Sequence, residues 1–178
     1  GSAGSGATPL DCTWTTLNPV DAEYGTGRVD DDGAKYSGNI NVYTSGSRGF
    51  LKFDPSSLDA DAEVMAVTLT LRLESTDAET EEPVSGSRIY PLVLDPTTAD
   101  GSALYEDCED GDVLWSGEWD FGGSYSNVAV EHDLNEAGLD FVQGRLTEGW
   151  AGFGIAHRSW WYEFYGDQSP RLGVCVAN

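Results

Sequence analysis

Between Met65 and Leu73 every odd position carries a large apolar side chain and every even position a small or polar one. No helix presents that spacing on one face, whereas successive strand side chains point to opposite sides, so this segment is a strand with one buried face. Shorter runs of the same period occur at Leu10, Cys12 and Trp14; at Ile40 and Val42; at Leu51 and Phe53; and at Val128, Val130, His132 and Leu134. They recur at Phe153, Ile155 and His157, and at Leu172, Val174 and Val176. By this phase Trp14 belongs to the core with Leu10 and Cys12. Turn formers separate the runs: there are 22 glycines, and Pro55, Pro83, Pro91, Pro96 and Pro170 fall between or at the edges of apolar stretches.

Only 134–146 approaches a helical period, and Gly138 and Gly144 limit it to one or two turns. Stretches 75–87 and 96–112 read as loops by composition. The pattern predicts an all-β fold, an antiparallel β-sandwich of jelly-roll type with at most one short helix. Residues 10–178 are expected to form a single domain. Residues 1–9, opening Gly-Ser-Ala-Gly-Ser-Gly, read as a flexible linker or an added segment.

Against 31 acidic residues the chain sets only 9 lysines and arginines, a formal charge of −22 with a pI near 4.1. Such a field repels phosphate backbones and anionic headgroups, so no nucleic-acid partner is expected. Direct membrane insertion is not expected either, because no apolar run reaches the roughly 18 residues of a spanning helix. Acid excess with two lysines also fits a salty habitat, where surplus charge is screened. The 3 cysteines, Cys12, Cys108 and Cys175, form no CxxC pair, and with 2 histidines they do not suggest a zinc site. One disulfide and a spare thiol is the natural arithmetic, pointing to an extracellular or surface-exposed setting, although no N-glycosylation sequon is present. Cys175 is out of phase with Leu172, Val174 and Val176 and so faces away from their side. A Cys12–Cys175 link, within one chain or between two, is one of the open pairings.

No GxSxG, HExxH or GxxxxGK[ST] motif occurs, and His132 and His157 lie in apolar phase as core histidines do, so no enzyme is expected. Calcium is the candidate cation, because hard ions take several oxygens from loop carboxylates. Two clusters could supply them: Asp30, Asp31 and Asp32 before Gly33, and Glu106, Asp107, Glu109, Asp110 and Asp112. The ordinary reading of both is a solvated acidic turn. The aromatic inventory, 6 Trp and 8 Tyr, is the best argument for binding. Flat rings pack on the apolar faces of sugars while acids and amides take the hydroxyls. Trp160, Trp161 and Tyr162 form one candidate carbohydrate cluster, and Trp115 and Trp119, four apart in a Gly-rich loop, form another. Trp160 and Trp161 cannot both face inward on an extended segment.

Several segments resemble one family. Arg48-Gly49-Phe50-Leu51-Lys52-Phe53-Asp54-Pro55-Ser56-Ser57-Leu58, followed by the strand from Ala62 to Leu71, is similar to paired motifs of the DNRLRE or disaggregatase-related domains. Trp115-Ser116-Gly117-Glu118-Trp119, the run from Val128 through Ile155, and Phe164 to Val174 match later elements in order, with Gly166 where that family usually has serine. The resemblance implies a secreted, non-catalytic β-sandwich like a carbohydrate-binding module. The expected function is polysaccharide or surface-glycan binding, or adhesion. The alternative is a structural subunit or decoration of a surface layer, filament or virion, self-assembling or contacting a neighbouring surface protein through the same aromatics, with the strand-like arm 10–17 able to add to a neighbour's sheet edge as well as its own.

Overall fold

A computed structural model describes residues 11–43, 46–76, 84–121, 126–157 and 161–178. The expected linker, 1–9, lies outside the described residues. The described strands are β1 (Cys12–Leu17), β2 (Thr26–Asp30), β3 (Lys35–Ser37), β4 (Ile40–Val42), β5 (Ser47–Phe53), β6 (Val64–Thr76), β7 (Val84–Pro91), β8 (Trp115–Trp119), β9 (Val128–Asp133), β10 (Ala151–Ala156), β11 (Tyr162–Phe164) and β12 (Arg171–Ala177). Two helices accompany them, α1 (Gly101–Asp107) and α2 (Glu136–Arg145).

The strongly alternating segment becomes β6, the axis of the first sheet. Along one edge it pairs with β12 over 64–70 and then with β11 over 73–76, so β11 and β12 lie in one line. β1 flanks β12 and β4 flanks β11, while the other edge of β6 takes β9. The second sheet has the order β3-β2-β5-β10-β7-β8. All pairings are antiparallel, and the chain crosses between sheets at most connections, the winding expected of a jelly roll.

Facing sides of the sheets make the core. Val67, Leu69, Leu71 and Leu73 of β6, with Leu172 and Val174 of β12, meet Leu51 and Phe53 of β5 and Phe153 and Ile155 of β10. Phe53 and Phe153 cross edge to face at 6.0 Å. Helix α2 closes one end with Val142 and Leu146, capped by Asn135, whose Oδ1 accepts from the Gly138 N–H at 3.0 Å. It is longer than the one or two turns expected, because Gln143 ties it to the start of β6 by accepting from Val64 N–H at 2.8 Å and donating to Ala62 O at 2.7 Å.

Two expectations need correction. The stretch 96–112 is not all loop, and the described residues include two short helices rather than at most one. Asp100 caps α1 by accepting from Ala103 N–H at 3.2 Å, and Leu104 and Cys108 pack with Val29, Phe50 and Leu92 as a second cluster on the outer side of the second sheet. That side is passable because β10 reads Ala-Gly-Phe-Gly-Ile-Ala: Phe153 and Ile155 point inward, while Gly154 leaves the opposite side flat. A Cβ at Gly154 would overlap the Cys108 backbone.

Trp14 is not in the core. Leu17 pairs with Leu172 on the inner side of the first sheet, so Cys12, Trp14 and Thr16 fall on its outer side, and Trp14 is 52% exposed. Cys12 there joins Cys175 within the chain, with Cα atoms 5.5 Å apart, and Cys108 remains a buried thiol. The arm therefore completes its own sheet, one of the two places expected for it.

Candidate functional site

The segment 115–119, expected as a loop, is strand β8. Its alternation turns Trp115, Gly117 and Trp119 inward and Ser116 and Glu118 outward; on β9, Val130 and His132 turn inward and Glu131 outward. β8 pairs with β7 and β9 with β6, and the free edges of the two strands meet at the seam of the sandwich. Between them lies a cleft of about 410 Å³, with Trp115, Trp119 and His132 at its floor and Glu118, Asp120 and Glu131 around it.

The floor is held by a polar contact inside the core. An indole N–H can only donate, so the 2.9 Å contact from Trp119 Nε1 makes His132 Nε2 the acceptor. The proton then resides on Nδ1, which donates to the Leu69 carbonyl at 2.7 Å. Burial pushes the His132 pKa down to about 4, outweighing the Leu69 bond and the Asp133 charge, which act upward. Neutral His132 stands edge to face against Trp115 at 4.5 Å. Trp115 itself lies back over Gly117, where a Cβ would come within 2.9 Å of its ring. The half-buried indole is thus clamped between a glycine of its own strand and an imidazole from the facing one.

Among the described residues no lysine or arginine lines this cleft, whereas three carboxylates do. It offers an aromatic surface and hydrogen-bond acceptors, and its charge opposes anions. Both nitrogens of His132 are committed to the fold.

Of the predicted aromatic residues, Trp115 lies where a ligand could reach it. Trp119 and Tyr162 do not: they are 2% and 1% exposed, packed ring to ring at 4.8 Å, because strand alternation turns both into the core. They support the cleft from below and cannot form its face. Trp161 is half-buried and its carbonyl accepts from the Thr76 hydroxyl at 2.7 Å. Trp160 lies outside the described residues.

The acidic clusters are structural where their bonds are visible. Asp30 accepts from Ser47 Oγ at 2.7 Å and Arg28 Nε at 3.2 Å, and Asp32 accepts from Ala34 N–H at 2.9 Å in the turn with Asp31 between β2 and β3. In the second cluster Asp107 is buried and accepts from both Val93 and Leu94 N–H at 2.8 Å. Glu109 pairs with Arg48 at 2.7 Å. Glu106, Asp110 and Asp112 are exposed. Among the described residues no three His, Cys, Asp or Glu side chains converge as a metal-ligand group. The expected clusters are adjacent in sequence, but helix and turn geometry spread them in space.

No family model and no curated protein matches this chain. Among solved structures the chain is similar to a carbohydrate-binding module, TmCBM27, solved in a study of specific mannan recognition. The two are 11% identical with a TM-score of 0.21, the match covering 93% of this chain and 77% of that one. A likeness at that level carries no argument about this chain.

Sequence reading missed Glu118, Asp120 and Glu131 as companions of Trp115. The outward phase of Glu131 was readable on its strand, but nothing local says that β8 and β9 share a seam.

Proposed function

We propose that the protein is a non-catalytic extracellular module that binds neutral polysaccharide, with Trp115 as a stacking surface in the cleft between β8 and β9. The observation that carries this reading is a half-buried indole, held between Gly117 and His132, beside three carboxylates in a cleft that no cation lines among the described residues. An apolar sugar face stacks on such a ring, and its hydroxyls donate to Glu118, Asp120 and Glu131. A uronate or sulfated chain meets repulsion from the same carboxylates and from the net charge of −22. The resemblance to DNRLRE domains and the Cys12–Cys175 disulfide are consistent with a secreted glycan binder.

Calorimetry with neutral and anionic oligosaccharides tests it. Binding confined to neutral sugars, weakened at least tenfold by Trp115→Ala, is the expected result. Unchanged affinity in Trp115→Ala, or preference for a polyanion, overturns it.

A further inference from the structure

The outer side of the first sheet holds the most exposed tryptophan among the described residues, and the β8–β9 cleft does not use it. Trp14 stands on β1 opposite Cys175 of β12, and its ring leans over the neighbouring Gly173. A Cβ built on Gly173 would lie 3.3 Å from Trp14 Cε3 and 3.4 Å from Cζ3, so the indole rests across bare backbone. The disulfide from Cys12, two residues before Trp14, fastens that strand to β12.

Cross-strand register defines what surrounds the ring. Gly173 pairs with Thr68 of β6, which pairs with Asp133 of β9, and Thr68 Oγ1 donates to Asp133 at 2.8 Å. The next outward row runs Arg171, Thr70, Glu131. One further row along, the Tyr165 N–H bonds the Arg72 carbonyl, and Tyr165 is 37% exposed. Four β6 residues separate the Thr68 and Arg72 rows, which is about 13 Å at strand rise. Two exposed rings therefore bracket a row of hydroxyl, carboxylate and guanidinium groups along one strand direction.

We propose that this sheet face is a second glycan surface, taking an extended neutral polysaccharide along β6 and β12 with Trp14 as its main stacking platform. The inference rests on the carbohydrate-binding reading above and adds a site to it. The chemistry of the face selects its occupant. Two aromatic rings separated by polar side chains do not make the contiguous apolar patch that a protein interface or a second copy needs. They match a ligand that alternates apolar ring faces with hydroxyls. Glu131 and Asp133 accept from sugar hydroxyls, Arg171 and Thr70 donate to them, and the molecule's acidity disfavours a polyanion.

The test is an NMR titration of the full chain with cellohexaose, mannohexaose and a hexagalacturonate, following the tryptophan indole N–H signals, with Trp14 and Trp115 assigned from Trp14→Ala and Trp115→Ala. Expected is movement of the Trp14 signal with a neutral hexasaccharide, persisting in Trp115→Ala. In gels containing neutral polysaccharide, with the cleft removed by Trp115→Ala, adding Trp14→Ala should weaken retardation at least tenfold and Trp14→Tyr should recover most of the loss. If the Trp115 signal moves while that of Trp14 stays still, the sheet-face site is overturned and the cleft reading stands. If neither moves with any neutral sugar, both fall. Concentration-dependent sedimentation of the glycan-free protein that disappears in Trp14→Ala would assign the face to a second copy and overturn the proposal.

Discussion

His132 is where chemistry and packing are most tightly joined. Protonation would put a hydrogen on Nε2, the atom that already accepts from Trp119, and place a charge in a site with no exposure. Above the ordinary value of 6.5 the imidazole is neutral whether the chain is folded or unfolded. Between 6.5 and about 4 the unfolded chain takes up the proton and the folded chain does not, so stability falls as pH falls through that window and the loss is complete below about 4. A shift of this size corresponds to about 3 kcal/mol. Urea unfolding at pH 7.5, 5.5 and 4.5 should show the wild type losing up to that much more than His132→Asn, since both share every carboxylate titration. Equal losses would mean that His132 does not carry the effect. The residue's burial was legible from its phase on β9; its partner was not, because Trp119 arrives from the other sheet. Trp14 shows the converse. Its phase with Leu10 and Cys12 suggested burial, yet Cys175 was already readable as facing outward, and a disulfide requires both cysteines on one side.

At the level of elements, α1 packs over Val29 of β2 and Phe50 of β5, and the flat outer side of β10 leaves room for its C-terminal end. Gly154 lies directly against the Cys108 backbone at the C-terminal end of α1, and Gly154→Ala should push that backbone outward at a cost of about 1–3 kcal/mol. Cys108 reports the movement directly. Its thiol is fully buried, and burial pushes its pKa up, so the native chain should resist a disulfide-exchange reagent while Gly154→Ala reacts measurably faster. Equal labelling rates in the two proteins would contradict this packing. The helix escaped composition because Glu106, Asp107, Glu109 and Asp110 resemble a solvated loop, although Asp100 as cap with Leu104 and Cys108 four apart is a helical pattern. β8 escaped for a similar reason: Gly117 reads as a turn former, but here it makes room for the Trp115 ring.

Across the whole molecule the Cys12–Cys175 bond joins residues 163 apart and ties the first described strand to the last. Chain-entropy estimates for a loop of that length come to about 5 kcal/mol. Reduction, or Cys12→Ser with Cys175→Ser, should lower the unfolding free energy by a substantial part of that, read as a fall in the urea midpoint with a steeper slope, because the released unfolded chain exposes more surface. An unchanged midpoint would show that the sandwich closes equally well without the bond.

The sequence by itself determined that the chain is a two-faced, strand-rich sandwich, because a period of two forces one side of each strand out of water. It also determined which positions of β6, β9, β10 and β12 face inward, and that the surface is acidic. Tertiary structure decided which strand edges meet and which glycines carry a ring or a helix. It also decided whether a given tryptophan is floor, core or platform. Those outcomes depend on contacts between residues far apart in the chain, such as Trp115 with His132 and Trp14 with Gly173, and a local pattern fixes only the direction in which a side chain points, not what it meets there.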